Sequence, residues 1–244
     1  FDAEEWTLEN GAKVVFRKAD YEKDQVQVSS YSKGGTSLYG IDKLASAQVT
    51  DQFIGAYGLG DYDAITLRKL LTGKQAQAGV NIGGLSESVG GASTPNDFET
   101  LMQLIYLRFE KPRFDKEVHN TMMQRNYAAI ENSANNPQKI MQDSVSMIMS
   151  NYSPRTLLFG KEFLDKVSIE QIEEIYRDRI KDISDFTFFI VGNIDAETVK
   201  PLVEKYLGSV KSYNRKENWV DNKVRGPKGR TEKVIELDLT TPKA

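Results

Sequence analysis

Alternating apolar and polar residues predict β-strands in the first part of the chain and one near residue 190. Gln25–Tyr31 alternates strictly, as a half-buried strand does. Asn10-Gly11 is a two-residue hairpin signal between two strand-like runs. Segments 75–82 and 85–92 predict a second hairpin, and the apolar run 186–191 predicts a buried strand.

Apolar residues at spacings of three and four predict that helices fill most of the remaining chain. Ser168 followed by Gln171 is a capping-box pattern at the start of one of them. Helices are predicted over 41–57, 62–71, 95–107, 114–133, 137–151, 168–181 and 196–207. Together the elements predict an α+β domain over residues 1–210, with a mostly antiparallel sheet packed against several helices.

The last part of the chain has a different pattern. Residues 211–231 contain Lys, Arg, Asn, Gly and Pro with almost no apolar periodicity, which predicts a linker. Val234–Leu239 is predicted to be an isolated strand, which needs a sheet to join. It would therefore either add to the main sheet or belong to a further domain. The abrupt start at Phe1-Asp2-Ala3 is what we expect of a piece of a longer protein.

Composition excludes several classes of function. The 244 residues are 39% hydrophobic and 27% charged, with a net charge of −3 and no basic stripe, which argues against nucleic-acid binding. No run approaches eighteen apolar residues, so no membrane span is predicted. The absence of cysteine excludes disulfides, thiolate metal sites and cysteine nucleophiles.

The candidate reactive residues are few, because His119 is the only histidine. It could act as a general base or metal ligand, but a surface or boundary position on a helix is the favoured interpretation. One imidazole and no thiolate cannot supply a convincing zinc site. Gly84-Leu85-Ser86-Glu87-Ser88 lacks the final glycine of a serine-nucleophile turn and is interpreted as a strand leaving a hairpin. Methionines on predicted helices are assigned to the core: Met122, Met123, Met141, Met147 and Met149.

Three segments in sequence order carry a resemblance to a known family. Trp6–Val15 resembles the opening strand pair of a pitrilysin/insulinase-family peptidase domain, and Tyr31–Gly35 resembles the glycine-ended strand that follows. Phe188–Gly208 is similar to the closing strand, turn and helix of that domain. The resemblance covers about residues 4–210 and is closest to the C-terminal half of long bacterial forms.

Active domains of this family carry the zinc motif H-x-x-E-H on the first long helix, three residues after a glycine. If Gly40 is that glycine, Lys43 and Ala47 stand where the two histidines would be, and Ser46 stands where the glutamate would be. The third ligand, a downstream glutamate, has no assigned counterpart, although Glu117 and Glu131 lie on the expected helix. No catalytic, cofactor-binding or metal-binding residue is therefore expected in this fragment.

The resemblance implies a non-catalytic domain of a larger zinc metalloendopeptidase. Its expected role is to shape the peptide-binding chamber and assist proteolysis by another domain, which would hold the zinc. Expected partners are other domains of the same polypeptide or a catalytic subunit, together with peptide substrate. The 75–92 hairpin is a candidate edge for extended peptides. Residues 232–244 would then be the first strand of a following repeat.

The residues leave two alternative functions open. The chain could be a structural subunit of a complex without peptidase activity, or an unrelated α+β binding module. The resemblance suggests a periplasmic or exported location, which the sequence itself does not define.

Overall fold

The computed structural model describes residues 2–133 and 135–236, which form a mixed sheet and a set of helices. The strands are β1 (Glu4–Thr7), β2 (Lys13–Lys18), β3 (Val26–Lys33), β4 (Ala76–Ile82), β5 (Ser86–Ser93) and β6 (Thr187–Gly192). The α-helices are α1 (Ile41–Tyr57), α2 (Ala64–Leu70), α3 (Phe98–Glu110), α4 (Lys116–Ser133), α5 (Pro137–Met149), α6 (Lys161–Leu164), α7 (Ile169–Arg179) and α8 (Ala196–Tyr206). The strands and helices predicted up to residue 210 are confirmed, whereas the short α6 was not predicted. The strand predicted over Val234–Leu239 is not confirmed, since its described part has no strand conformation.

The six strands of the described chain are arranged in the order β1-β2-β6-β3-β5-β4. All neighbours are antiparallel except β2 and β6, where Val14 pairs with Phe188 in parallel. The sheet therefore joins the first and last parts of the domain at its centre, while β1 and β4 form its edges. The predicted α+β class with a mostly antiparallel sheet is confirmed.

One face of the sheet is buried under the helices. In β3 every second residue is buried, starting with Val26 and Val28, and these residues join one core cluster with α1, α3, α7 and α8. Phe53, Leu101 and Tyr176 are among the fully buried side chains of that cluster. Burying an apolar side chain of this size contributes roughly 1.5–3 kcal/mol, so this single layer is the main source of stability.

Helix α5 is an exception, because none of its residues is fully buried. Met141, Val145 and Met149 recur every four residues and are 58%, 45% and 61% exposed. They form an apolar stripe on the outside of the domain. The assignment of methionines to the core is thus right for Met122 and Met123, which pack against it, and wrong for Met141 and Met149.

No helix in the described part of the chain is long and apolar enough to cross a membrane.

The predicted linker contains no helix or strand, but much of it lies against the domain. The backbone N–H of Arg215 donates to Asp182 Oδ2 at 2.6 Å, and that of Val220 donates to Ser37 Oγ at 3.0 Å. The side chain of Asn222 donates to the Ser37 carbonyl at 2.9 Å. Residues 231–236 have no strand conformation, and 237–244 lie outside the described residues, so the following-repeat assignment stays a prediction.

A buried arginine holds this segment and the sheet together. Arg179, at the end of α7, is only 3% exposed and lies between three carboxylates. Its Nη1 is 2.7 Å from Glu217 and 3.6 Å from Glu87, and its Nη2 is 2.6 Å from Asp178. Burial raises the pKa of Glu87 above its ordinary value, and the neighbouring Arg179 guanidinium offsets part of that rise. Removing either partner leaves a buried charge without its counter-charge.

We expect Arg179→Met to lower the free energy of unfolding by about 3 kcal/mol or more, because Glu87 would stay buried without its cation. Urea denaturation of the variant and the parent chain measures this. Arg225→Met is the matched control, since Arg225 makes an exposed pair with Asp221 and should change stability by less than about 0.5 kcal/mol. Equal losses in the two variants would contradict the role given to Arg179.

Candidate functional site

The first candidate site is the face of α1 that would carry the zinc motif. Gly40 is the N-cap of α1 in extended conformation, and the helix runs for 17 residues. Lys43, Ser46 and Ala47 are spaced three and four apart, so they lie on one side of the helix. That side contacts α7 and β4.

Polar contacts on this face are satisfied by α7 and the turn before it. Ser46 is fully buried, and its hydroxyl lies 2.7 Å from Gln171 Oε1 while accepting from the Ser168 N–H at 3.1 Å. Lys43 Nζ donates to Glu174 at 2.6 Å, and this hydrogen bond raises the pKa of the lysine. The two residues expected at the positions of a water-activating glutamate and a histidine ligand thus make helix–helix contacts.

The third position of the motif is a packing contact. Ala47 is 1% exposed and lies in a small cluster with Ile82 of β4 and Ile175 of α7. A methyl group, a protonated amine and a hydroxyl already bonded to an amide are not a zinc donor set. Glu117 and Glu131 are exposed on α4, and no group of three His, Cys, Asp or Glu side chains in the described residues could hold a metal. The side chains on this face of α1 therefore do not fit a zinc site.

His119 lies in the core, so its assignment to a surface or boundary position was wrong. It is 6% exposed, its Nδ1 is 2.9 Å from the Tyr57 hydroxyl, and its ring centre is 5.1 Å from that of Phe53. Burial lowers the pKa of His119, and Glu170 offsets part of that effect. The imidazole fills space between α1 and α4 and has no reacting group beside it.

The second candidate site is the free edge of the sheet at β4. The hydrogen bonds from Thr94 N–H to Gln75 O and from Gly83 N–H to Ser86 O show that odd-numbered residues bond to β5. The backbone groups of even-numbered residues therefore point away from the sheet: Ala76, Ala78, Val80 and Ile82. The candidate edge in the 75–92 hairpin is thus β4, since β5 is paired on both sides.

A cavity of about 510 Å³ lies along this edge, between β4, α2, α3 and the end of α1. Leucine side chains form much of its wall, and its charged lining residues are Arg68, Lys74 and Arg108. No acidic side chain of residues 2–133 or 135–236 lines it. Arg108 was not predicted from the sequence to be a site residue. It continues the spacing of Leu101, Leu104 and Ile105 and therefore occupies a core position of α3.

Comparison with known proteins agrees with this geometry. The model of the peptidase M16 inactive domain matches residues 166–244. The probable zinc protease PqqL of Haemophilus influenzae is 22% identical over 251 residues, covering 100% of this chain and 26% of that protein. The crystal structure of the periplasmic protease PqqL from Escherichia coli superimposes with a TM-score of 0.75 at 18% identity, covering 92% of this chain and 26% of that one.

The chain is homologous to the PqqL zinc proteases, and its last third matches the M16 inactive domain. It spans about a quarter of the length of these relatives. The resemblance to the pitrilysin family is confirmed, and an unrelated binding module is excluded by the homology to PqqL. If Gly40 is the motif glycine, the helix that would carry the zinc motif packs against α7 and β4 in this chain.

We expect Ala47→His to lower the free energy of unfolding of the domain by about 2 kcal/mol or more, because an imidazole must enter the space between Ile82 and Ile175. Lys43→His is the control, since Lys43 is only partly buried and should lose less than about 1 kcal/mol. Chemical denaturation measures both variants. An Ala47→His chain as stable as its parent would show that the position is open.

His119 should make stability depend on pH. Its pKa is lowered on folding, so the unfolded chain binds the proton more readily below about pH 6.5. The contribution is complete at higher pH and is lost as the pH falls toward the folded-state value. We expect the parent to lose on the order of 1 kcal/mol more than His119→Gln between pH 7.5 and 5.5 in urea denaturation. Identical losses would contradict the prediction.

Proposed function

We propose that this M16 domain forms part of the wall of a peptide-binding chamber and holds extended peptides along β4 while another domain carries out proteolysis. The free edge of β4 is the observation that carries the proposal. The four alternate residues Ala76, Ala78, Val80 and Ile82 direct their backbone N–H and C=O groups to this edge, where the Ala78 carbonyl accepts from Arg108 and the other groups are available to an added strand. Such pairing gives affinity with little dependence on sequence.

Two further observations support a non-catalytic role beside a catalytic partner. If Gly40 is the motif glycine, Lys43, Ser46 and Ala47 take the zinc-motif positions, so hydrolysis and its zinc would belong to another domain of the same polypeptide or to a partner subunit. The exposed stripe of Met141, Val145 and Met149 offers an apolar surface for that neighbour.

A purely structural subunit is the second candidate function. The α5 stripe favours it as well, since a scaffold also needs contact surfaces. The two candidates differ in the rest of the gene: an H-x-x-E-H motif in the same polypeptide or an adjacent gene supports the peptidase assignment, and its absence supports the scaffold. They also differ in whether a change at the β4 edge alters KM for peptide hydrolysis.

The variant Ala78→Pro is made in the polypeptide that carries this domain together with its catalytic domain. We expect it to raise KM for an unstructured peptide about fivefold, because one outward N–H and its hydrogen bond to the peptide are lost. The value of kcat should change little, because no reacting group is altered. Steady-state peptide hydrolysis measures both constants.

The control is Thr7→Pro at the opposite edge, because the bond from Leu8 N–H to Ala12 O shows that the Thr7 backbone also points outward there. Its KM should stay unchanged. Equal KM values for the parent and both variants would favour the scaffold. Peptide hydrolysis with stoichiometric zinc in the purified 244-residue chain would overturn the non-catalytic assignment.

A further inference from the structure

Arg108 is a buried cation without a counter-ion. It is 7% exposed, and among the described residues no acidic group lies within ion-pair distance of its guanidinium. Its Nη2 donates to the Ala78 carbonyl at 3.2 Å, whereas its Nε has no hydrogen-bond partner. Burial lowers the pKa of Arg108 from its ordinary value. A buried guanidinium without a counter-ion costs stability, so packing alone does not account for an arginine at this position.

The surroundings of Arg108 favour a carboxylate attached to a chain. Arg68 and Lys74 line the same cavity, and Lys74 is already paired with Asp97 at 3.1 Å. Leu59, Leu67 and Leu104 supply apolar wall, which suits the methylene groups of a side chain better than a free hydrated ion. Planar guanidinium groups bind carboxylates through two parallel hydrogen bonds.

The register of β4 connects this cavity to the free edge. The side chain of Ala78 faces the helices, and its backbone N–H and C=O point outward. A residue of an added strand directly opposite Ala78 would direct its side chain to the same face, toward the cavity. The peptide N–H would then bond to the Ala78 carbonyl, and the guanidinium would be free to face the peptide side chain.

We propose that this cavity binds the acidic side chain of a peptide strand paired with β4, with Arg108 receiving the carboxylate. The inference rests on the proposed function, since it needs a peptide at that edge. An internal Asp or Glu is favoured over a chain end because β4 continues on both sides of Ala78, from Ala76 to Ile82. The domain would thus select peptides by one acidic residue.

The test uses rhodamine-labelled peptides of sequence Thr-Val-Thr-Glu-Thr-Val-Thr, acetylated and amidated, and the twin with Gln in place of Glu. Fluorescence anisotropy titration with the 244-residue chain gives Kd for each. We expect the Glu peptide to bind about tenfold more tightly, as a charge-assisted pair provides. In Arg108→Met the two should bind alike, with the Gln peptide within about twofold of its parent value, since backbone pairing is unchanged.

Arg108→Lys keeps the positive charge but lacks the planar guanidinium, so its preference for the Glu peptide over the Gln peptide should fall to about threefold. This variant also tests the proposal if Arg108→Met does not fold. Equal binding of both peptides to the parent chain would overturn the carboxylate site and leave the proposed edge binding intact. Absence of binding by either peptide at millimolar concentration would overturn both. If a Gln peptide with a free C-terminus binds like the Glu peptide, the site takes chain ends, and the side-chain assignment is wrong.

Discussion

The packing of α1 into the angle between α7 and β4 is the contact on which the rest of the molecule depends. Ser46 bonds to Gln171, Lys43 pairs with Glu174, and Ala47 packs between two isoleucines. These contacts bury Ser46 and Ala47 between the helices and the sheet. The same contacts hold α7 in place, and α7 ends in the arginine that anchors the sheet and the C-terminal segment.

The outward-facing features of the domain follow from this arrangement. With the helices on one side of the sheet, β4 is left as an edge, and α5 lies outside the core with an apolar stripe. Both are surfaces that offer contacts rather than reactions. The chain spans about a quarter of the length of its zinc-protease relatives.

Buried charge marks the two places where the fold departs from simple packing. Arg179 is surrounded by carboxylates and ties distant segments together, so its cost is offset by its partners. The Arg108 guanidinium has only the Ala78 carbonyl oxygen as a partner, its Nε is unsatisfied, and the residue lines a basic cavity at the sheet edge. The difference between a compensated and an uncompensated arginine separates a structural contact from a candidate binding site.

The sequence by itself determined the elements and the limits on chemistry. Apolar spacing is a local property, so α1, α3, α7 and the strands could be predicted with nearly correct bounds, and one histidine without cysteine limits metal binding in any fold. Only the tertiary structure decided that β4 is an edge, that His119 is buried and that Met141 and Met149 are exposed. Those properties depend on contacts between residues far apart in the chain, such as Ser46 with Gln171 and Arg108 with Ala78, and no local pattern encodes such distances.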